Sequence, residues 1–252
     1  MSRSAPLSGS GLTFKIHHFS RVSSTQSLAR EFLDRGAEMG TVVVADEQDL
    51  GRGRRGRCWL SPLGGLYASV LVPAEPLLPL RLGIAVASTL ERLGIPATLK
   101  WPNDVLVRER KIAGILIEVV EETAIVGIGV NLQAIPVAGA TSVAEEGFRA
   151  VDRDEFLGRV LTNLPCDGPE RLLGRYRELS STVGRIVRME EEGDQPGLNR
   201  VLVGRACGVD ASGRLLVEAS GSVHTVAAGD CTHLIHETDT RGLILDARTF
   251  GD

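Results

Sequence analysis

Residues 98–130 read TLKWPNDVLVRERKIAGILIEVVEETAIVGIGV. Within this stretch Thr98–Trp101, Val105–Val107, Ile112–Val119 and Ala124–Val130 are short β-rich runs separated by tight turns. Such runs predict an antiparallel meander. Earlier in the chain, Thr13–Phe19, Thr41–Ala45 and Leu66–Val72 read as further strands beside it. Ser23-Ser24-Thr25 supplies cap chemistry for a helix over about Gln26–Arg35, which Gly36 stops. A second helix is expected over Leu80–Leu93, where Ile84, Ala87, Leu90 and Leu93 recur at helical spacing before Gly94. Two more follow at about Arg153–Leu164 and Pro169–Ser180. The predicted class is α+β, a mixed β-sheet with flanking helices.

Composition shifts near Thr182. From Gly184 to Leu234 short strands alternate with turn signals at Glu192-Gly193-Asp194, Asp210-Ala211-Ser212-Gly213 and Ala219-Ser220-Gly221, the pattern of a small all-β barrel. The expected division is a disordered start over 1–11, a main domain over 12–182, the small barrel over 183–236 and a tail over 237–252.

The 252 residues carry 28 basic and 32 acidic side chains, a net charge of −4, so no global field favours nucleic acid. No uncharged apolar run approaches the ~18 residues of a membrane span, and the Ser/Pro/Gly-rich start lacks an apolar signal core. No partnership with a membrane is expected. The four cysteines form no CxxC pair, which argues against a zinc site or a disulfide framework and suits a reducing cytoplasm. Only three lysines (Lys15, Lys100, Lys111) stand against 25 arginines, so lysine at 100 and 111 suggests a need for a flexible ammonium. Biased codon supply explains the same count.

Five segments could carry chemistry. Gly51–Arg57 reads GRGRRGR, with no apolar residue, and must be an exposed loop. Its guanidiniums and glycines suit a phosphate, and their mutual repulsion predicts ordering when an anion arrives. A solvated basic loop or a nucleic-acid patch is the plainer reading. The neighbouring Trp59 could stack on a purine. In Lys100–Asp104 (KWPND) the proline turn holds an amide and a carboxylate, and Asp104 could take Mg²⁺; an ordinary Asx turn accounts for the same residues. Lys111 stands at a strand mouth, as edge protection or as a ligand group, and Gly114 inside that strand suggests close approach of a ligand. Gly127-Ile128-Gly129-Val130-Asn131 ends the next strand with two glycines and an amide able to read a base edge, a weak signal alone. Ser24-Thr25 could direct hydroxyls and helix N–H groups at a polar ligand instead of merely capping, and Gln48 could face the same ligand.

In this order and spacing, Ser24-Thr25-Gln26, Asp46-Glu47-Gln48 leading into GRGRRGR with Trp59, KWPND, Lys111–Glu118 (KIAGILIE) and Gly127–Leu132 (GIGVNL) resemble the catalytic domain of biotin–protein ligases. The resemblance spans about residues 12–235. It implies the mixed sheet shared with class II aminoacyl-tRNA synthetases, with 12–182 as the biotin- and ATP-binding domain and 183–236 as an SH3-like one. It further implies a cytoplasmic ligase that activates biotin with ATP and Mg²⁺ as biotinyl-5′-adenylate. The biotin would then pass to a lysine of a biotin carboxyl carrier domain of a carboxylase. The biotin site implied comprises Ser24, Thr25, Gln26, Gln48, Gly51, Arg52, Arg54, Lys111, Gly114 and Leu116. The ATP site comprises Arg54, Arg57, Trp59, Asn103, Asp104, Lys111, Val130 and Asn131, with Asp104 as metal ligand. Lys111, Arg54 and Arg57 are the catalytic set.

Two features depart from the family pattern. About a dozen residues precede the first strand, so no winged helix and no DNA binding are expected. Position 58 is Cys, which suggests sensitivity to alkylation. A homodimer through the sheet edge is common among relatives and is left open. The alternatives are a lipoate–protein ligase-like acyl-adenylate transferase, whose RR-x-SGG loop is missing here, and a nucleic-acid-binding module built on the arginine loop.

Overall fold

The computed structural model describes residues 2–6, 12–148, 151–164, 167–192 and 199–234. The expected tail over 237–252 and the turn at Gly193-Asp194 lie outside them. Two compact units meet in sequence between Leu179 and Ser180.

In the first unit the strands are β1 (Ser2–Pro6), β2 (Thr13–Val22), β3 (Thr41–Gln48), β4 (Leu66–Pro73), β5 (Thr98–Lys100), β6 (Asp104–Val107), β7 (Arg110–Val120) and β8 (Thr123–Val130). The helices are α1 (Thr25–Asp34), α2 (Leu78–Arg92), α3 (Arg153–Thr162) and α4 (Pro169–Leu179). One eight-stranded sheet takes the order β1-β2-β3-β4-β8-β7-β6-β5. Only β2 and β3, joined through α1, run parallel; every other pair is antiparallel. The expected meander is the run β5 to β8, each strand beside its sequence neighbour. Its β6–β7 turn is two residues, Arg108 and Glu109, both at positive φ (48° and 63°), as a tight hairpin requires.

The chain start departs from expectation. Instead of lacking structure, Ser2–Pro6 pairs along the edge of β2, because an open strand edge offers a row of N–H and C=O groups to any extended segment nearby.

Helix α1 covers one face of the sheet. Its Ala29 seats against Val43, Leu71 and Ile125, all fully buried, with Leu28 and Phe32 packed around them. Helix α2 covers the other face over β5, β6 and β7, and α3 and α4 rest on α2. Of the residues at helical spacing, Ile84, Ala87 and Leu90 are buried along it, while Leu93 is its half-buried C-cap. The Asp152 side chain accepts the Glu155 N–H at 2.7 Å and so caps α3.

The second unit holds β9 (Ile186–Glu192), β10 (Asn199–Val209), β11 (Leu215–Ala219), β12 (Ser222–Val226) and β13 (Asp230–His233). They form one antiparallel sheet in the order β12-β11-β10-β9-β13, and among the described residues no pairing of β12 with β13 closes the ladder. The turn at Asp210 is held by its own carboxylate, which accepts the N–H groups of Ser212 and Arg214.

Because Leu71 is fully buried beneath α1, Leu71→Ala should lower unfolding free energy by about 2–5 kcal/mol. Chemical denaturation should show a lower midpoint with an unchanged slope.

Candidate active site

Beyond the end of α1, the same face of the sheet carries a patch almost without side chains. Strand register sets Tyr67, Gly129, Gly114 and Asp104 side by side across β4, β8, β7 and β6, and the next row is Ser69, Gly127 and Leu116. A Cβ at Gly129 would stand 2.6 Å from Cε2 of Trp59, and one at Gly114 3.0 Å from its Cζ3. A Cβ at Gly127 would meet Oε1 of Gln26 at 2.8 Å. These glycines exist so that an indole and an amide can lie on the strands themselves.

The N-terminus of α1 forms one wall. Ser24 occupies the cap position, but its hydroxyl makes no cap bond; buried and unpartnered, it lines the cavity. Gln48 does the capping from β3, since its Oε1 accepts the Thr25 N–H at 2.8 Å and the Thr25 hydroxyl at 3.1 Å. Ser69, fully buried on β4, donates to Thr25 Oγ1 or Gln26 Oε1, while Gln26 Nε2 donates to the Ile125 carbonyl at 2.9 Å. The helix start is therefore polar yet ordered, and one hydroxyl is left over for a ligand.

The glycine–arginine run supplies the second wall. It folds back on itself through antiparallel bridges of Gln48 with Ser61 and Arg52 with Cys58, and Trp59 N–H bonds the Gly51 carbonyl at 2.8 Å. Arg55 and Gly56 sit at positive φ (54° and 71°) at the tip. Two of its charges meet partners across the cavity: Arg52 lies 3.1 Å from Glu118, and Arg54 donates to Asn103 Oδ1 at 3.2 Å. The return of the hairpin is pinned by Tyr67, whose hydroxyl donates to the Pro62 carbonyl. Burial, helped by the Glu47 charge, pushes that phenol up to about 12, so it stays a donor.

The third wall is the KWPND turn and the start of β7. Asn103 does not form an Asx turn; its Nδ2 donates to the Ile115 carbonyl at 2.8 Å. Asp104 Oδ1 is 2.6 Å from Lys111 Nζ, which also lies 5.2 Å from the centre of the Trp59 ring. Lys111 thus turns into the site rather than guarding an edge. Indole and ammonium both come within contact of Gly114, and the carboxylate meets that ammonium.

The open cavity between these walls measures about 150 Å³. Of the expected residues, Ser24, Thr25, Gln26, Gln48, Arg52, Arg54, Arg57, Trp59, Asn103, Asp104, Lys111, Gly114 and Leu116 line it. Gly51, Val130 and Asn131 do not. Gly51 lies beneath the hairpin, where a Cβ would strike the Trp59 carbonyl at 2.3 Å. Val130 is a fully buried rung between Leu66 and Ala113. Asn131 uses its Nδ2 to hold the Thr141 carbonyl at 3.0 Å, leaving its Oδ1 buried without a partner. Sequence reading passed over Ser69, although a serine inside the apolar run of β4 was the available signal. Gly127, Gly129 and the exposed Cys58 also line the cavity.

Residues 18–133 match the biotin/lipoate A/B protein ligase family, and residues 182–234 match the biotin protein ligase C terminal domain. The biotin–[acetyl-CoA-carboxylase] ligase of Mycobacterium tuberculosis is 35% identical over 238 residues, covering 84% of this chain and 88% of that protein. Among solved structures, the biotin protein ligase of Aquifex aeolicus in complex with biotin and ATP superposes with a TM-score of 0.73 at 32% identity, covering 87% of this chain and 98% of that one. The Leishmania major biotin protein ligase in complex with biotinyl-5-AMP gives 0.63 at 27% identity, covering 84% and 98%. The fold and the site define a ligase of the biotin and lipoate type. Within that class, the chain belongs to the biotin protein ligase family.

An alanine at 129 cannot coexist with the indole at its present place. Gly129→Ala should displace Trp59 and shift its fluorescence, and the same change in a Trp59→Phe background should leave the remaining emission of Trp101 unaltered. Unchanged emission in the single variant would show that Trp59 does not rest on Gly129.

Proposed function

We propose that this chain joins biotin to a lysine of a biotin carboxyl carrier domain of a carboxylase, through biotinyl-5′-adenylate. In the first step a biotin carboxylate oxygen attacks the α-phosphorus of ATP, the bond to the bridging oxygen breaks, and pyrophosphate leaves. In the second the acceptor amine attacks the acyl carbon. The C–N bond forms, the C–O bond to phosphate breaks, AMP departs and the amine loses a proton. Positioning and charge neutralisation dominate such chemistry, which suits a site made of arginines and a lysine.

One observation carries this reading: a buried, unpartnered hydroxyl and a paired ammonium face one cavity from opposite sides of the glycine patch on β8. Ser24, with Thr25, Gln48 and Arg52, offers polar contacts to the ureido ring. Gly114 and Leu116 flank the slot for the apolar body, and Gln26 closes it over Gly127. Lys111, Arg54 and Arg57 meet the carboxylate and phosphates where negative charge gathers. Trp59 presents an aromatic face for adenine.

For the metal, Asp104 is one carboxylate on the cavity wall, and no group of three His, Cys, Asp or Glu able to hold a metal occurs among the described residues. A single carboxylate fits Mg²⁺ that arrives on a nucleotide and keeps several waters. Bound there, Mg²⁺ would neutralise phosphate charge. Asp104 would hold it, and Lys111, the neighbour of Asp104 on the same wall, would bring its ammonium to the substrate. No helix among the described residues is long and apolar enough to cross a membrane.

The decisive measurement is ATP–pyrophosphate exchange followed by transfer to a carrier domain. Biotin should drive exchange and lipoate should not. Lys111→Ala and Arg54→Gly should each lower kcat by about 10²–10³-fold, the usual loss on removing a group aimed at developing charge. Exchange driven by lipoate alone would transfer the chain's assignment to that acid.

A further inference from the structure

The most deeply buried acid of the described site region belongs to none of the roles above. The Glu146 side chain is 2% exposed, a costly place for a carboxylate unless cations and donors surround it. They do. Oε1 accepts from Arg110 Nη2 and from the Thr141 hydroxyl, both at 2.8 Å, and Oε2 lies 3.2 Å from Arg108 Nη1.

These contacts join two separate pieces of chain that meet at Lys111. Arg108 and Arg110 belong to the β6–β7 hairpin immediately before Lys111. Thr141 belongs to the segment returning beyond β8, where it replaces β8 as the neighbour of β7. Lys111 N–H donates to the Gly139 carbonyl at 2.8 Å, and Thr141 N–H donates to the Lys111 carbonyl at 2.9 Å. Both main-chain groups of Lys111 are thus held by a segment that Glu146 ties down. The register of β6 against β7 also shifts between Val105 and Leu106, opposite Lys111 and Ala113. Regular pairing on the β6 side is therefore disturbed just where the lysine must be aimed.

We infer that Glu146 is a positioning residue for Lys111. By clamping the hairpin to the returning segment it fixes the lysine backbone, and with it the point where the ammonium meets the reacting carboxylate and phosphate. The inference rests on the adenylation reading above. It assigns Glu146 no contact with substrate.

The test compares Glu146→Gln and Thr141→Val with the unaltered chain. Thr141→Val removes one donor to the clamp at nearly constant shape, so it reports even if Glu146→Gln folds poorly. Four quantities are read: the number of biotin sites, their Kd without ATP, kcat for biotin-dependent ATP–pyrophosphate exchange, and Tm. Misplacing a catalytic group by about 1 Å costs about 10²-fold in rate. Glu146→Gln should therefore lose about that much kcat, and Thr141→Val a smaller part in the same direction. The number of biotin sites should stay unchanged, because Ser24 and Gln48 lie on other elements, and Kd should rise by less than about tenfold, through the weakened Lys111 contact with the carboxylate, a difference under about 1.4 kcal/mol. Normal kcat in both folded variants would overturn the inference. So would a fall in kcat that only follows the loss of biotin sites and Tm, the mark of a purely structural residue. If the unaltered chain shows no biotin-dependent exchange, the adenylation reading itself fails, an outcome distinct from either.

Discussion

The site depends on a region where the sheet has almost no side chains. Gly114 and Gly129 are paired across β7 and β8, and Gly127 stands one step along. On this bare patch the backbone becomes the floor of a cavity, and the indole of Trp59 and the amide of Gln26 come within contact of it. Any Cβ there would lift both groups from the strands and fill the slot between the walls. Interior strand glycines forgo side-chain packing and cost conformational entropy. The patch is accordingly confined to one end of one face, and the other end is packed densely under α1 by Val43, Leu71 and Ile125.

Charge is then arranged around a floor that supplies none. Arg52 faces Glu118, Arg54 reaches Asn103, and Lys111 pairs with Asp104. Each of these cations is thus held by an acidic or polar partner. At the opposite wall the polar groups are neutral and linked in a chain, from Ser69 through Thr25 to Gln48 and on to Ser61, whose hydroxyl bonds the Trp59 carbonyl. That chain joins helix α1 to the arginine hairpin, so the neutral and the cationic walls are parts of one hydrogen-bonded assembly. A molecule with a neutral polar head, an apolar body and an acid end matches this order of surfaces.

Much of the fold was legible before any coordinate. Short β-rich runs between turns made the meander of β5 to β8, and helical spacing marked the buried stripe of α2, because burial on one face imposes a period on the sequence. The start of the chain was not legible: Ser2–Pro6 becomes a strand only because β2 leaves an edge open beside it. The site divides the same way. GRGRRGR, KWPND and Lys111 stood out by composition, and they do surround the cavity. Asn131 and Val130 looked equivalent to these by position in a motif, yet one braces the returning segment and the other is core. Ser69 looked like a stray polar residue and is a hub of the neutral wall.

By itself, then, the sequence determined which residue types gather near one another along the chain: apolar runs of definite period, glycines where side chains are excluded, and a cluster of cations that no core could accept. Those are local properties, written in spacing and composition. Tertiary structure alone decided the rest. Cross-strand register placed Gly114 opposite Gly129 and Asp104 opposite Gly114. It also brought Gln48 to cap a helix 23 residues away and seated Glu146 behind Lys111. Such pairings depend on which strands lie adjacent and in what alignment. A shift of one residue would turn every side chain to the opposite face while leaving the sequence pattern almost as it was.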